Sequence, residues 1–75
     1  MKIYMYMGIF SDDSEPDISL FKNKKDCIDY INVEIDKYCE QYDIDKQKGI
    51  VGMDSRHFET SDHEMTFIFR EMEVK

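Results

Sequence analysis

"EMTFIFREMEV", Glu64 to Val74, holds the densest run of strand-forming residues in the chain. Side chains alternate between the two faces of a strand. Within "MTFIF" both alternating sets are strand formers, and most are apolar, which suits the centre of a sheet better than an edge. Upstream, "ETSDH" (Glu59 to His63) reads as a hairpin loop, and "GIVGMDSRHF" (Gly49 to Phe58) reads as a strand flanked by Gly49 and Gly52. Residues 2–10, "KIYMYMGIF", supply a further strand. Ile3, Met5, Met7 and Ile9 share one of its faces, and Tyr4, Tyr6, Gly8 and Phe10 share the other. Both faces are apolar or aromatic, so either something covers the second face or the tyrosines leave their hydroxyls in water.

Between the first two strands lies a helix. Asn23 is a good N-cap, and Asp26 three residues on makes a variant of the capping box. Cys27, Ile28, Ile31, Ile35, Tyr38, Cys39 and Tyr42 then recur in steps of three and four, a stripe about 120° wide at about 100° per residue. Asp29, Asp36, Glu40 and Asp43 lie on the opposite side, within about 60° of one another. Lys24 and Lys25 occupy the first turn and acids crowd the last. This is the reverse of what the helix dipole favours, by about 0.3–1 kcal/mol per charge. Helix stability therefore did not set the charge order.

These elements predict one α+β domain spanning residues 1–75, a small β-α-β-β unit. Its three-stranded antiparallel sheet has the spatial order second, third, first, with one helix packed on one face. The crossover is then a split β-α-β with a right-handed connection. One sheet face and two edges stay uncovered by helix.

Seventy-five residues bury only about 60% of their unfolded surface, so binding or self-association would add stability. The chain is 41% hydrophobic, too apolar for a disordered tail, yet 36% of it is charged and the net charge is -7. An acidic shell of this kind repels nucleic acids and anionic membranes and attracts basic proteins. Lys22, Lys24 and Lys25 form the single candidate basic patch, with aspartates close behind. No apolar run reaches the length of a membrane span, and acids follow "MKIYMYMGIF" where a signal cleavage site would need small residues. Cys27 and Cys39, twelve residues apart on one helix, stand about 18 Å from each other. That is too far for a disulfide, so they read as reduced, core-facing thiols of a cytoplasmic protein.

The chemistry-bearing clusters are few. "SDDSEPDIS" (Ser11 to Ser19) alternates Asp13, Glu15 and Asp17 but lacks the central glycine of a calcium loop and contains Pro16, so it reads as a solvated loop. Asp54, Arg56, His57, Asp62 and His63 gather around the hairpin, without the spacing of a zinc motif. No phosphate-binding loop, dinucleotide fingerprint or nucleophile elbow occurs. Cys27 near a helix N-terminus falls on the apolar stripe and reads as an inert buried thiol. A chain this short is not expected to enclose a pocket of a few hundred Å³. Neither catalysis nor a metal or cofactor is expected.

What remains is surface. The sequence points to a small acidic, non-catalytic binding protein that inhibits a basic partner. Its acids would stand in for phosphates, so the target would be a nucleic-acid-handling or defence protein. Asp29, Asp36, Glu40 and Asp43 on the helix would contact it, with Asp12, Asp13 and Glu15 in the loop and Tyr4 and Tyr6 as aromatic anchors. In size, charge and economy of fold the chain resembles, as a class, the small acidic inhibitors of defence or DNA enzymes that bacteriophages encode. One alternative is an oligomerising module, a homodimer for instance, that pairs through an open aromatic sheet face or an edge strand. Another is a small-ligand or metal-binding protein using the histidine hairpin.

Overall fold

The structure is a computed structural model and describes residues 1–74. Five strands form one antiparallel sheet: β1 (Lys2–Phe10), β2 (Asp17–Phe21), β3 (Ile50–Val51), β4 (Ser55–Glu59) and β5 (Glu64–Glu73). The spatial order is β2-β1-β5-β4-β3, with a single α-helix, α1 (Lys24–Gln41), between β2 and β3 in the chain. A short 3₁₀ turn, Lys46–Lys48, precedes β3.

The expected sheet of three strands is therefore corrected to five, although its central order β4-β5-β1 stands. Both extra strands have local causes. The acidic loop ends sooner than the sequence suggested, because Asp17 to Phe21 turns back and pairs with β1 from Gly8↔Asp17 to Tyr4↔Phe21. The strand expected over Gly49 to Phe58 folds on itself at Gly52, whose N–H donates to the Ser55 carbonyl at 2.9 Å. β3 then pairs with β4 through Ile50↔His57 and Val51↔Arg56. β1 and β4 each run antiparallel to the β5 strand between them, so they are parallel to each other, as in a split β-α-β unit.

The helix starts where the sequence places it. Asn23 has extended backbone, and its side chain accepts a bond from the Lys25 N–H at 3.1 Å. The helix ends in a Schellman motif, with the Ile44 N–H donating to the Cys39 carbonyl at 2.8 Å and the Asp43 N–H to the Glu40 carbonyl at 3.3 Å. The left-handed position of this motif, usually a glycine, is held by Asp43 at φ 55°.

Cys27, Ile31, Ile35 and Cys39 are the buried stripe of α1, and they face Tyr6, Phe10, Phe58, Met65 and Phe67 on the sheet. The helix thus covers the aromatic face of β1 and leaves the aliphatic face open. The reason is volume matching. Two small cysteines on the helix leave room for large rings on the sheet, and the rings bring more area into the core than the aliphatic set would. They meet at close range: Phe10 and Tyr38 have centroids 4.6 Å apart, and Phe10 and Phe67 meet edge to face at 5.7 Å.

Candidate functional site: the open sheet face and its acidic rim

Register and alternation define the helix-free face. Met7 lies between Ile18 on β2 and Ile68 on β5, and Met5 lies between Leu20 and Arg70. Ile3 pairs with Met72 and Ile9 with Thr66. The result is an aliphatic and methionine surface across three adjacent strands, on which Ile18 is 53% and Leu20 60% exposed. The face left open is thus aliphatic, which corrects the expectation of an open aromatic one. Tyr6 is 1% exposed and belongs to the core, so its ring is not part of the surface. Burial above all, helped by the nearby Glu34 carboxylate, pushes its phenol well above the ordinary tyrosine range. Tyr4 is half-buried and stacked on Phe69 at 6.1 Å.

The acids fall into two groups. At one end of the sheet, the loop of Asp12, Asp13 and Glu15 is exposed and tied down by Ser11, whose N–H donates to the Glu64 carbonyl at 3.0 Å while its hydroxyl accepts from the Glu64 N–H at 2.9 Å. Asp12 lies 2.7 Å from His63 Nδ1. On α1, Asp29 pairs with Lys25 at 3.3 Å and Asp36 with Lys46. Glu40 and Asp43 complete that face at its C-terminal end. Two of the four helix acids thus have a lysine partner within the molecule, and Lys25 of the expected basic patch is one of those partners.

The hairpin separates its histidines. His63 packs against the Tyr42 ring at 4.4 Å, whereas His57 contacts Thr66 Oγ1 at 2.8 Å and Glu59 Oε1 at 3.1 Å. Arg56 is structural. It donates to the Lys46 carbonyl at 3.0 Å and lies over the Phe58 ring, fixing the 3₁₀ turn to β4. The Asp54 carbonyl accepts from the Phe69 N–H at 2.8 Å, and the Asp62 N–H donates to Thr60 Oγ1 at 3.3 Å. Cys27 is fully buried, and burial raises its thiol above the ordinary value, the opposite of what activates a nucleophile.

Comparison with protein families, curated proteins and solved structures found no match.

One feature escaped the sequence. A cleft of about 370 Å³ opens between α1 and the β3–β4 turn, lined by Ile28, Ile35, Val51, Met53 and Phe69 with Lys24 at its rim. A helix about 10 Å across cannot span five strands spaced about 4.8 Å apart. α1 packs on β1, β5 and β2, and the β4–β3 side of the same face is left thinly covered. The extra strands widen the sheet beyond its helix, and the cleft they leave is open to solvent, not the enclosed pocket that so short a chain was not expected to form. No helix among the described residues is long and apolar enough to cross a membrane.

Proposed function

We propose that this chain is a non-catalytic binding protein that seats its open sheet face on a basic partner protein and blocks the surface it covers. One observation carries the reading: Ile3, Met5, Met7, Ile9, Ile18, Leu20 and Ile68 form a continuous helix-free face in a chain of net charge -7. Contiguous apolar surface of this kind marks interaction sites. Methionines adapt to a partner's shape, and buried aliphatic area supplies the affinity. The acids select the partner. Asp13 and Glu15 in the loop and Glu40 and Asp43 at the helix end favour a basic surface and speed its encounter. The most fitting partners are nucleic-acid-handling or defence proteins, whose basic surfaces would then no longer reach their own ligands.

A second reading rests on β2, the edge strand that bears both Ile18 and Leu20. An edge strand continuous with an apolar face is suited to pairing with a second copy.

Light scattering at low and high salt, together with capture from nuclease-treated bacterial lysate, separates the two. Ile18→Glu/Leu20→Glu changes only exposed side chains and should leave the fold intact. A blocking protein should be a monomer at all salts, with a basic partner released by rising salt and lost with the double variant. A dimer favoured by high salt, where screening weakens repulsion between acidic copies, selects the second reading. Capture that the double variant leaves unchanged sinks the proposed face.

A further inference from the structure

At one corner of the open face, His57, Glu59 and Glu64 place a ring nitrogen and two carboxylates with ligand atoms all within 4.8 Å of one another. We infer that these three side chains form a divalent transition-metal site, for which zinc is the natural occupant.

The backbone brings them together. His57 and Glu59 are two apart on β4 and share a face, and the register sets Glu59 directly opposite Glu64 on β5. Like charges directly opposed across a sheet are destabilising, and a bound cation removes that cost. The hairpin fixes the geometry. The Thr60 N–H donates to the His63 carbonyl at 2.8 Å, and Thr60 Oγ1 accepts from the His63 N–H at 2.9 Å.

The histidine is already oriented as a ligand. Its Nδ1 contacts Thr66 Oγ1 at 2.8 Å, and its Nε2 points at Glu59 Oε1, 3.1 Å away. A threonine hydroxyl donates to a bare Nδ1 or accepts from a protonated one, so Thr66 serves either tautomer. Without metal, an Nε2–H would donate to the Glu59 carboxylate. With metal, the proton sits on Nδ1 and is donated to Thr66, and the Nε2 lone pair goes to the ion. An outer hydrogen bond of this kind is the usual support of a metal-bound histidine.

The His57–Glu59 spacing suits tetrahedral zinc. Ligands about 2.05 Å from the ion stand about 3.3 Å from each other, close to the His57–Glu59 separation. Both glutamates are exposed, and Glu64 is free to rotate inward over the remaining distance. One nitrogen and two carboxylates favour zinc and its transition-metal neighbours over calcium or magnesium, which prefer oxygen alone. Three protein ligands leave a fourth position for water.

The test is zinc titration of the full chain after chelator treatment, followed by calorimetry and by ¹⁵N NMR of the imidazoles. Saturable binding of one ion is expected, with a shift of His57 Nε2 and an undisturbed His63 ring. His57→Ala should abolish binding, Thr66→Val should weaken it about tenfold, and His63→Ala should leave it unchanged. Absence of saturable binding, a shift at His63 in place of His57, or equal affinity for calcium would overturn the zinc site. The NMR readout uses the unaltered protein, so it stands even if a variant fails to fold.

Discussion

The ring of Tyr6 lies so close over Gly8 that a methyl group at Gly8 would fall 2.2 Å from the Tyr6 hydroxyl oxygen and 3.0 Å from Phe10 Cε2. Position 8 is thus the hollow that lets two aromatic side chains lie flat beneath the helix. Tyr6 is held on every side, so it cannot swing away. Gly8→Ala should destabilise the protein by about 1–3 kcal/mol, the usual cost of overpacking. Urea unfolding would show it, as a lower midpoint with an unchanged slope.

The same hydroxyl is buried without a hydrogen-bond partner among the described residues. Leaving a buried polar group unpaired costs about 1–3 kcal/mol. Tyr6→Phe keeps the ring and removes the oxygen, so it should stabilise by about 1 kcal/mol. A thermal melt decides the matter. A lower midpoint would mean that the hydroxyl has found a partner.

Asp43 sits in the left-handed region at the helix C-terminus, where its Cβ is strained and its charge faces the negative end of the dipole. Asp43→Gly relieves both and should add about 1 kcal/mol, raising the melting temperature by about 4–8 °C. In the proposed function this acid draws a basic partner by its long-range charge, from outside the sheet face that the partner covers. The variant should therefore gain stability while losing some partner affinity, a split that purely structural roles do not produce.

Burial raises the Cys27 and Cys39 thiols and the Tyr6 and Tyr38 phenols above their ordinary values. In the unfolded chain these groups ionise at about pH 8.5 and about pH 10. Above those values the unfolded state holds fewer protons than the folded one, so stability falls as pH rises. Their contribution is complete below about pH 8 and is lost through the alkaline range. Melting temperatures measured from about pH 7 to about pH 10.5 should decline on that limb, and Tyr6→Phe should make its upper part shallower. A flat profile would show that the rings and thiols are more open than their burial indicates.

Much of the fold was written locally. Asn23 and the four-residue steps from Cys27 to Cys39 announce the helix without reference to anything distant. The double-sided apolar character of β5 places it between two neighbours. β2 was harder to read because Ile18 and Leu20 point away from the core, so its strand character comes from pairing with β1. The folding of the second strand at Gly52 was likewise visible only as a glycine. Which face of β1 turns inward depended on the fit of Tyr6 over Gly8 against small cysteines on a separate helix. Among the candidate site residues, the acid face of α1 was readable as angle. The pairing of Asp36 with Lys46 was not, since the 3₁₀ turn delivers that lysine from ten residues away. His57, Glu59 and Glu64 were within reach of hairpin register alone, given the four-residue loop that separates Glu59 from Glu64.

The ladder between β1 and β5 runs from Lys2↔Glu73 to Phe10↔Met65, joining residues that stand 55 to 71 positions apart in the chain. On a ribosome adding about 5–20 residues per second, β1 waits about 3–12 s for its central partner. During that interval the β1–β2 hairpin, α1 and the short β3–β4 pair can assemble, with the aliphatic face of β1 in water and one long edge unpaired. Completion depends on a contact of very high sequence separation, which slows the final step and gives chaperones a window of access. The nascent chain is therefore at its most adhesive just before β5 emerges.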